Sequence, residues 1–499
     1  MEFSLSKQMG FLFVSRMAAF VIVFTIPLVL ARAFSLEEFG QYKQLFLIHE
    51  TLWMSLSLGL SASLYYFIPH YPKEWRAYVY QTLLLLGCFG IVGGGGLVIC
   101  KSQVARLLNN PDIESYLPYL AIYTGMSLLT TNLEYIMVIL KQSRLVASTI
   151  LLSDVLRALL LIGAAVWMHS MLVLILAALG WMMCRLIMLF LYLRTLGMTW
   201  WARPQLGRVR EQFYYSLPFG LASIAGTFAD SMHQYVVAHV FNPTIFAIYT
   251  VGCFYIPVVE IIFGSISDVT LVRLAELRND CRIAESVQVI GDSVVKVCLL
   301  LLPLYVWLLV NARNVIVLLF TERFEASTDI FKVFLTVVPL LAFQLDYVQR
   351  AFADTRCSLQ IYVLRLLLTG AFLAVLVLPL GLFGAVLATV VASGITKFLV
   401  ILRVRFLLNI TLFELLPWNQ LGRISASSLA AGAIIWAFAS MVKFDSMIIQ
   451  LTLSALMFAV AYAVFVWHFN GIEAQQKYWV IGRLSHYYRT MLGEVPVPR

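Results

Sequence analysis

The chain has 499 residues, 61% of them apolar, 14% aromatic and only 12% charged, with a mean hydropathy of +0.88. A water-soluble domain carries about 45 to 50% apolar and about 25% charged residues, so this composition excludes a soluble globular protein and leaves little chain for a catalytic domain outside a bilayer. The formal net charge of +9 raises the question of nucleic-acid or acidic partners, and where the basic residues sit decides it.

Runs of about 18 or more apolar residues predict transmembrane helices over 9–31, 42–67, 78–100, 115–140, 145–168, 170–193, 214–240, 245–270, 291–311, 328–350, 357–379, 382–404, 424–441 and 447–468. The fold class is therefore all-α and polytopic, with fourteen spans. Of the 35 basic residues, 21 fall in loops on one side and 8 on the other. The positive-inside rule then places both termini in the cytoplasm of a multi-pass bacterial inner-membrane protein. The basic excess is topological, and no nucleic-acid partner is implied.

Lys7, the apolar run from Met17 to Leu30 and the triplet Ala31-Arg32-Ala33 imitate a cleavable signal peptide, but Arg16 interrupts the run and the segment reads as a first span. Cysteines 88, 100, 184, 253, 281, 298 and 357 form no C-x-x-C pair and predict neither disulfides nor a metal centre. Gly90 and the tract Gly93 to Gly96 lie inside an apolar run with no Lys-Ser/Thr after them, so they read as helix packing or bending and not as a phosphate loop. Glu37-Glu38 is the kind of acidic pair found in membrane glycosyltransferases. The longest external loops, 101–114 and 312–327, are only about 15 residues, and no cofactor or nucleophile motif is present, so no enzyme is predicted.

Phe34, Phe39 and Tyr42 recur as Phe241, Phe246 and Tyr249 at a shift of 207; Asn-Leu-Glu-Tyr at 132–135 faces Gln-Leu-Asp-Tyr at 344–347, and Val155-Leu156-Arg157 faces Val363-Leu364-Arg365, at shifts of 212 and 208. An internal repeat of six spans predicts two lobes related by a pseudo-twofold axis along the membrane normal, with the substrate site between them. The lobes are residues 1–199 and 214–406, joined by a cytoplasmic linker at 200–213. Accessory helices 13 and 14 lie within 424–468, and 469–499 reads as a cytoplasmic interfacial tail.

The stretches L-A-R-A-F-S-L-E-E-F-G-Q-Y at 30–42 and S-L-P-F-G-L-A-S-I-A-G-T-F-A-D-S at 216–231, leading into F-N-P-T-I-F-A-I-Y, resemble the lobe openings of the Wzx-type oligosaccharide flippases of the multidrug/oligosaccharidyl-lipid/polysaccharide exporter superfamily. The span layout is similar over essentially the whole chain. Thr244 to Ala247 lacks the acidic and glycine residues often seen in the second hairpin, and Asp230-Ser231-Met232-His233 replaces the more usual asparagine or basic pattern. The resemblance implies a fold like that of the multidrug (MATE) exporters and movement of an undecaprenyl-pyrophosphate-linked oligosaccharide to the outer leaflet. Membrane lipids, a polysaccharide polymerase and chain-length enzymes of the same pathway are its implied partners. The runner-up is a cation-coupled exporter of drugs or metabolites on the same fold, favoured by an acidic, lipid-closed lumen where the flippase needs a basic one open to lipid.

An ionised side chain near the bilayer centre costs about 2.5 to 3.5 kcal/mol on insertion scales, so each needs a partner or water. Asp154 and Arg157, three apart on one helix face, can neutralise each other and read as structural. Arg16, His49, Glu50, Asp230, His233, Glu260 and Asp268 gather on predicted helices 1, 2, 7 and 8, and Ser223, Thr227, Asp230 and Gln234 draw one polar stripe along helix 7. These groups either line a common hydrated cavity or form salt bridges in a closed bundle. On the resemblance, a pyrophosphate calls for fixed positive charge. Arg16, Arg273 and Lys296 lie where a headgroup first arrives; Arg185, deeper, is either a further contact or the partner of an acid. Tyr65, Tyr66, Tyr249 and Tyr255 are candidates for sugar contacts. Glu50 beside His49, and Asp230 with His233, are suited to loading and releasing a proton between access states.

Overall fold

The computed structural model describes residues 5–198, 205–280, 282–442 and 446–469, and of residues 5–16, 18, 279 and 355 the backbone alone. The side chain of Arg16, residues 199–204 of the linker region and the tail from 470 onward therefore lie outside the described residues. Every regular element among the described residues is a helix. The first group comprises α1 (Leu5–Ala33), α2 (Leu36–Ser57), α3 (Leu60–His70), α4 (Trp75–Ile99), α5 (Lys101–Leu107), α6 (Leu117–Thr130), α7 (Asn132–Ile139), α8 (Ser143–Gly163) and α9 (Met171–Thr195). There follow α10 (Leu206–Val240), α11 (Pro243–Gly252), α12 (Pro257–Asn279), α13 (Ile283–Val310), α14 (Ala312–Phe320), α15 (Ser327–Phe334), α16 (Val337–Leu341) and α17 (Asp346–Ala351). The chain then forms α18 (Thr355–Leu408), α19 (Leu412–Leu415), α20 (Trp418–Met441) and α21 (Met447–His468).

Among the described residues nine helical segments are long and apolar enough to cross a membrane, or ten if the bent pair Pro243–Gly252 and Pro257–Arg278 counts as one. The arrangement is compatible with fourteen spans, and it differs from uniform helices in where the spans break. The expected span 42–67 is α2 plus α3, interrupted where Leu58 and Gly59 adopt φ of 42° and 70°, a left-handed pair that only glycine takes without strain. The expected span 115–140 is α6 plus α7. Conversely, the expected spans 357–379 and 382–404 run together in α18, split at Gly381, whose φ of 57° and ψ of −129° are not helical.

The chain forms two compact units. The first comprises Met1–Cys253, Leu319–Ile330 and Tyr362–Thr389. Within it α1 packs along α8, α4 along α6, and α2 along α11. The last contact joins the two repeat copies. Ser35 caps α2 reciprocally with Glu38, Asn242 caps α11, and Phe34, Phe39, Phe246 and Tyr249 are buried. Gly40 touches the Pro243 backbone so closely that a Cβ would collide with it. The glycine tract is partly a packing device: Gly90 meets Gly125 and Gly93 meets Leu56, while Gly95 and Gly96 face open space.

Two polar ties hold this unit. Gln212, buried on α10, donates to Ser63 Oγ (2.8 Å) and Thr82 Oγ1 (2.7 Å) and accepts from Gln81 Nε2 (2.5 Å). At α1's C-terminus Arg323 donates to the carbonyls of Ala31, Arg32 and Phe34 at 3.0, 3.0 and 3.1 Å, and Arg32 donates to Leu319 O at 2.6 Å.

The second unit comprises Phe254–Leu318, Phe331–Ile361 and Val390–Arg499. Its centre is α13, against which α12 and α20 pack, with α21 beside α20. Gly432 admits Val306, Trp307 Nε1 donates to Ser454 Oγ (3.3 Å), and Arg403 makes a two-pronged bond to Asp354 (2.6 and 3.1 Å).

Candidate functional site

The strongest concentration of charge inside the first unit is built by α2, α6, α7, α8 and α9. Arg185 on α9 donates to Glu134 Oε1 at 2.6 Å and to Ser153 Oγ at 3.0 Å; both side chains of this ion pair are mostly buried, at 12% and 21% exposure. Trp181, one turn earlier, is fixed by its indole N–H, which donates to the carbonyl (2.9 Å) and hydroxyl (3.1 Å) of Ser153. Its ring carries two cations: the guanidinium of Arg157 at 4.7 Å from the centroid and that of Arg185 at 5.6 Å. Spacings of three or four residues along α8 and α9 put these side chains on facing stripes.

Arg157 is the exception in this group. Asp154 and Arg157 make no direct ion pair among the described residues, because Arg157 turns onto Trp181, although its charge still acts on Asp154. Its Nε is buried without a hydrogen-bond partner. Glu50, His49, Tyr123 and Asp154 all lie within reach of its charge. A cation–π contact returns about 0.5 to 2 kcal/mol, less than the about 2.5 to 3.5 kcal/mol that an arginine costs at membrane depth. An anion or water reaching Arg157 therefore has something to gain.

His49 and Glu50 belong to the same neighbourhood. His49 Nδ1 lies 3.0 Å from Thr124 Oγ1. That hydroxyl spends its own proton on Leu120 O (2.9 Å), so Nδ1 is the donor and Nε2 is left as the basic nitrogen. Glu50 is exposed and makes no hydrogen bond or ion pair among the described residues.

Asp230 and His233 stand one turn apart on α10 and have separate partners. Asp230 pairs with Arg365 at 2.6 Å, and His233, only 2% exposed, lies 2.7 Å from the Tyr249 hydroxyl. Tyr249 is fully buried, so it is a framework residue and not a sugar contact; Tyr65, Tyr66 and Tyr255 are exposed. Arg273, Lys296, Glu260 and Asp268 all belong to the second unit and are exposed. Arg273 pairs with Glu276 at 3.0 Å. Arg185, for which two roles were open, is the partner of an acid. Sequence reasoning gave Arg157 a structural role as the partner of Asp154 and did not place it among the site residues, although it is the repeat mate of Arg365 and both copies carry an arginine at that register.

A family model described as "Polysaccharide biosynthesis protein" matches residues 29–329. No curated protein matches the sequence. Among solved structures, the lipid II flippase MurJ in an inward closed conformation aligns with a TM-score of 0.73 at 14% identity, covering 92% of this chain and 98% of that one. An inward-facing multidrug resistance MATE family transporter of the MOP superfamily aligns at 0.60 and 14% identity over 78% and 94%. A MOP superfamily transporter from Pyrococcus furiosus aligns at 0.57 and 14% identity over 81% and 96%. At such identities the likeness shows the fold alone: an all-helical, MurJ- and MATE-like membrane transporter architecture.

Proposed function

Since the chain belongs to the polysaccharide biosynthesis protein family, we propose that it is a flippase carrying an undecaprenyl-pyrophosphate-linked oligosaccharide, an O-antigen or exopolysaccharide repeat unit. It moves this cargo from the cytoplasmic to the periplasmic leaflet of a bacterial inner membrane by alternating access and catalyses no reaction. Both termini are cytoplasmic, lobes 1–199 and 214–406 are the moving parts, and a polymerase and chain-length enzymes take up the product. The observation that carries the reading is Arg157, a cation held on Trp181 with no ion-pair partner among the described residues. A pyrophosphate is the kind of dianion that such a guanidinium binds well.

Arg16, Arg273 and Lys296 serve as the earlier catch points for the headgroup. Glu50, with His49 beside it, is the first candidate for proton coupling, since it has a carboxylate to load and no bond to break. Asp230 is held by Arg365 at 2.6 Å and is the second candidate; Glu260 and Asp268 are the remaining carboxylates assigned to this role.

The test uses purified chain in vesicles loaded with a fluorescent prenyl-pyrophosphate oligosaccharide, with headgroup exposure read by a membrane-impermeant reagent. Wild type moves the label, Arg157→Ala slows it at least ~10-fold, as loss of one charge-assisted hydrogen bond of about 1.5 to 3 kcal/mol requires, and Arg157→Lys lies between. Movement of a hydrophobic cation with no movement of the glycolipid would assign the chain to the drug-exporter reading instead.

A further inference from the structure

The first unit contains a separate cavity of about 210 Å³, lined by Trp53, Ser57, Ser61, Tyr135, Phe219 and Ser223 among others. It lies at the break between α2 and α3. Gly59 lines it with its left-handed φ of 70°, and Gly220 on α10 lets the broken strand of backbone approach, since a Cβ there would lie 2.5 Å from Leu58 O. Interrupted helices at membrane depth persist where they are buried in protein or line a cavity, and discontinuous helices are a common way of building transporter sites.

Part of its hydrogen-bonding capacity is unspent. A helical serine ordinarily donates to a carbonyl three or four residues back, as Ser57 does to Met54 O (2.9 Å) and Ser63 to Leu60 O (2.6 Å). Ser61, only 7% exposed, makes no hydrogen bond among the described residues, and neither do the hydroxyls of Ser223 and Tyr135 or the indole N–H of Trp53. Ser61 is buried, while Trp53, Tyr135 and Ser223 are half-buried, and an apolar occupant that left such donors unmade would cost about 1 to 3 kcal/mol for each one it seals from water. The rings of Trp53, Tyr135 and Phe219 form part of the wall beside Met54 and Leu128, and no lining residue carries a charge.

We propose that this cavity seats one neutral hexopyranose ring of the transported cargo, an assignment that rests on the flippase reading. A pyranose has one apolar face for aromatic rings and an equatorial edge of hydroxyls that can accept from Ser61, Ser223, Trp53 and Tyr135. A lipid chain would leave all four donors unsatisfied, and an ion would find no countercharge. The volume lies below the roughly 300 to 1,000 Å³ of a drug-sized site, so a single sugar enters and the remainder of the oligosaccharide stays outside. Ser223 also opens the polar stripe of α10 that leads on to Thr227 and Asp230.

The experiment measures binding of two probes to the full chain in lipid nanodiscs: a prenyl pyrophosphate, and the same lipid bearing one hexose. Wild type holds the glycosylated probe more tightly. The double variant Ser61→Ala with Ser223→Ala, and separately Phe219→Ala, weaken the glycosylated probe about tenfold and leave the bare probe within about twofold, with an unchanged melting temperature showing that the fold is intact. Variants that keep the full sugar increment overturn the inference and leave the flippase reading standing. Equal weakening of both probes overturns it in favour of a lipid chain in the cavity. If wild type binds neither probe, the flippase reading fails and takes this one with it.

Discussion

Gly40 and Ala247 occupy the same register of the two repeat copies, yet only the first is glycine. The reason is steric: the Pro243 backbone presses on Gly40, while Ala247 keeps its methyl group in a fully buried place. Replacing Gly40 by Ala must push α2 and α11 apart, an overpacking that costs about 1 to 3 kcal/mol; a lower denaturation midpoint for Gly40→Ala checks this. The missing glycine in the second hairpin, a departure from the resembling pattern in the sequence, is thus no loss. Arg157 teaches a related lesson about what a sequence discloses. Spacing correctly places Asp154 and Arg157 near each other, but Trp181, 24 positions downstream, competes for the guanidinium, and no local pattern reveals that competition.

Among elements, the spans were legible because a run of apolar residues of sufficient length has few alternatives in a bilayer. Their interruptions were not. Residues 36–70 stay apolar across Leu58 and Gly59, and only the backbone angles show the break. The α3–α4–α10 tie was equally hidden, because Ser63, Gln81, Thr82 and Gln212 are scattered polar residues until the fold brings them together. Gln212 spends both amide protons and its carbonyl there, so Gln212→Ala takes one partner from each of Gln81, Ser63 and Thr82, which keep only their bonds to Arg208 O, Leu60 O and Tyr78 O. The expected loss is about 1 to 3 kcal/mol, whereas an exposed polar change on α10 stays within about 0.5 kcal/mol. Urea or thermal denaturation of the two variants side by side measures the contrast.

For the molecule as a whole, composition was enough for the membrane class and the apolar runs for an all-helical fold, whereas the compact units do not follow the repeat boundaries. The site was only partly readable. Of the charged candidates, His49, Glu50 and Arg185 do gather in one neighbourhood of the first unit, while Asp230 and His233 divide between Arg365 and Tyr249. Burial and pairing arise from contacts between distant segments, and a single chain of letters does not specify which acid reaches which base.

The arginine exchange at the ends of α1 and α14 has an energetic consequence. Each helix terminus leaves carbonyls without donors, and here Arg323 serves one terminus while Arg32 serves the other. Pulling the two termini apart would forfeit the bonds of both together, so the two arginines act as one coupled cap. Arg32→Ala and Arg323→Ala should therefore show a double-mutant coupling of about 0.5 to 3 kcal/mol, and a result near zero would mean two independent caps.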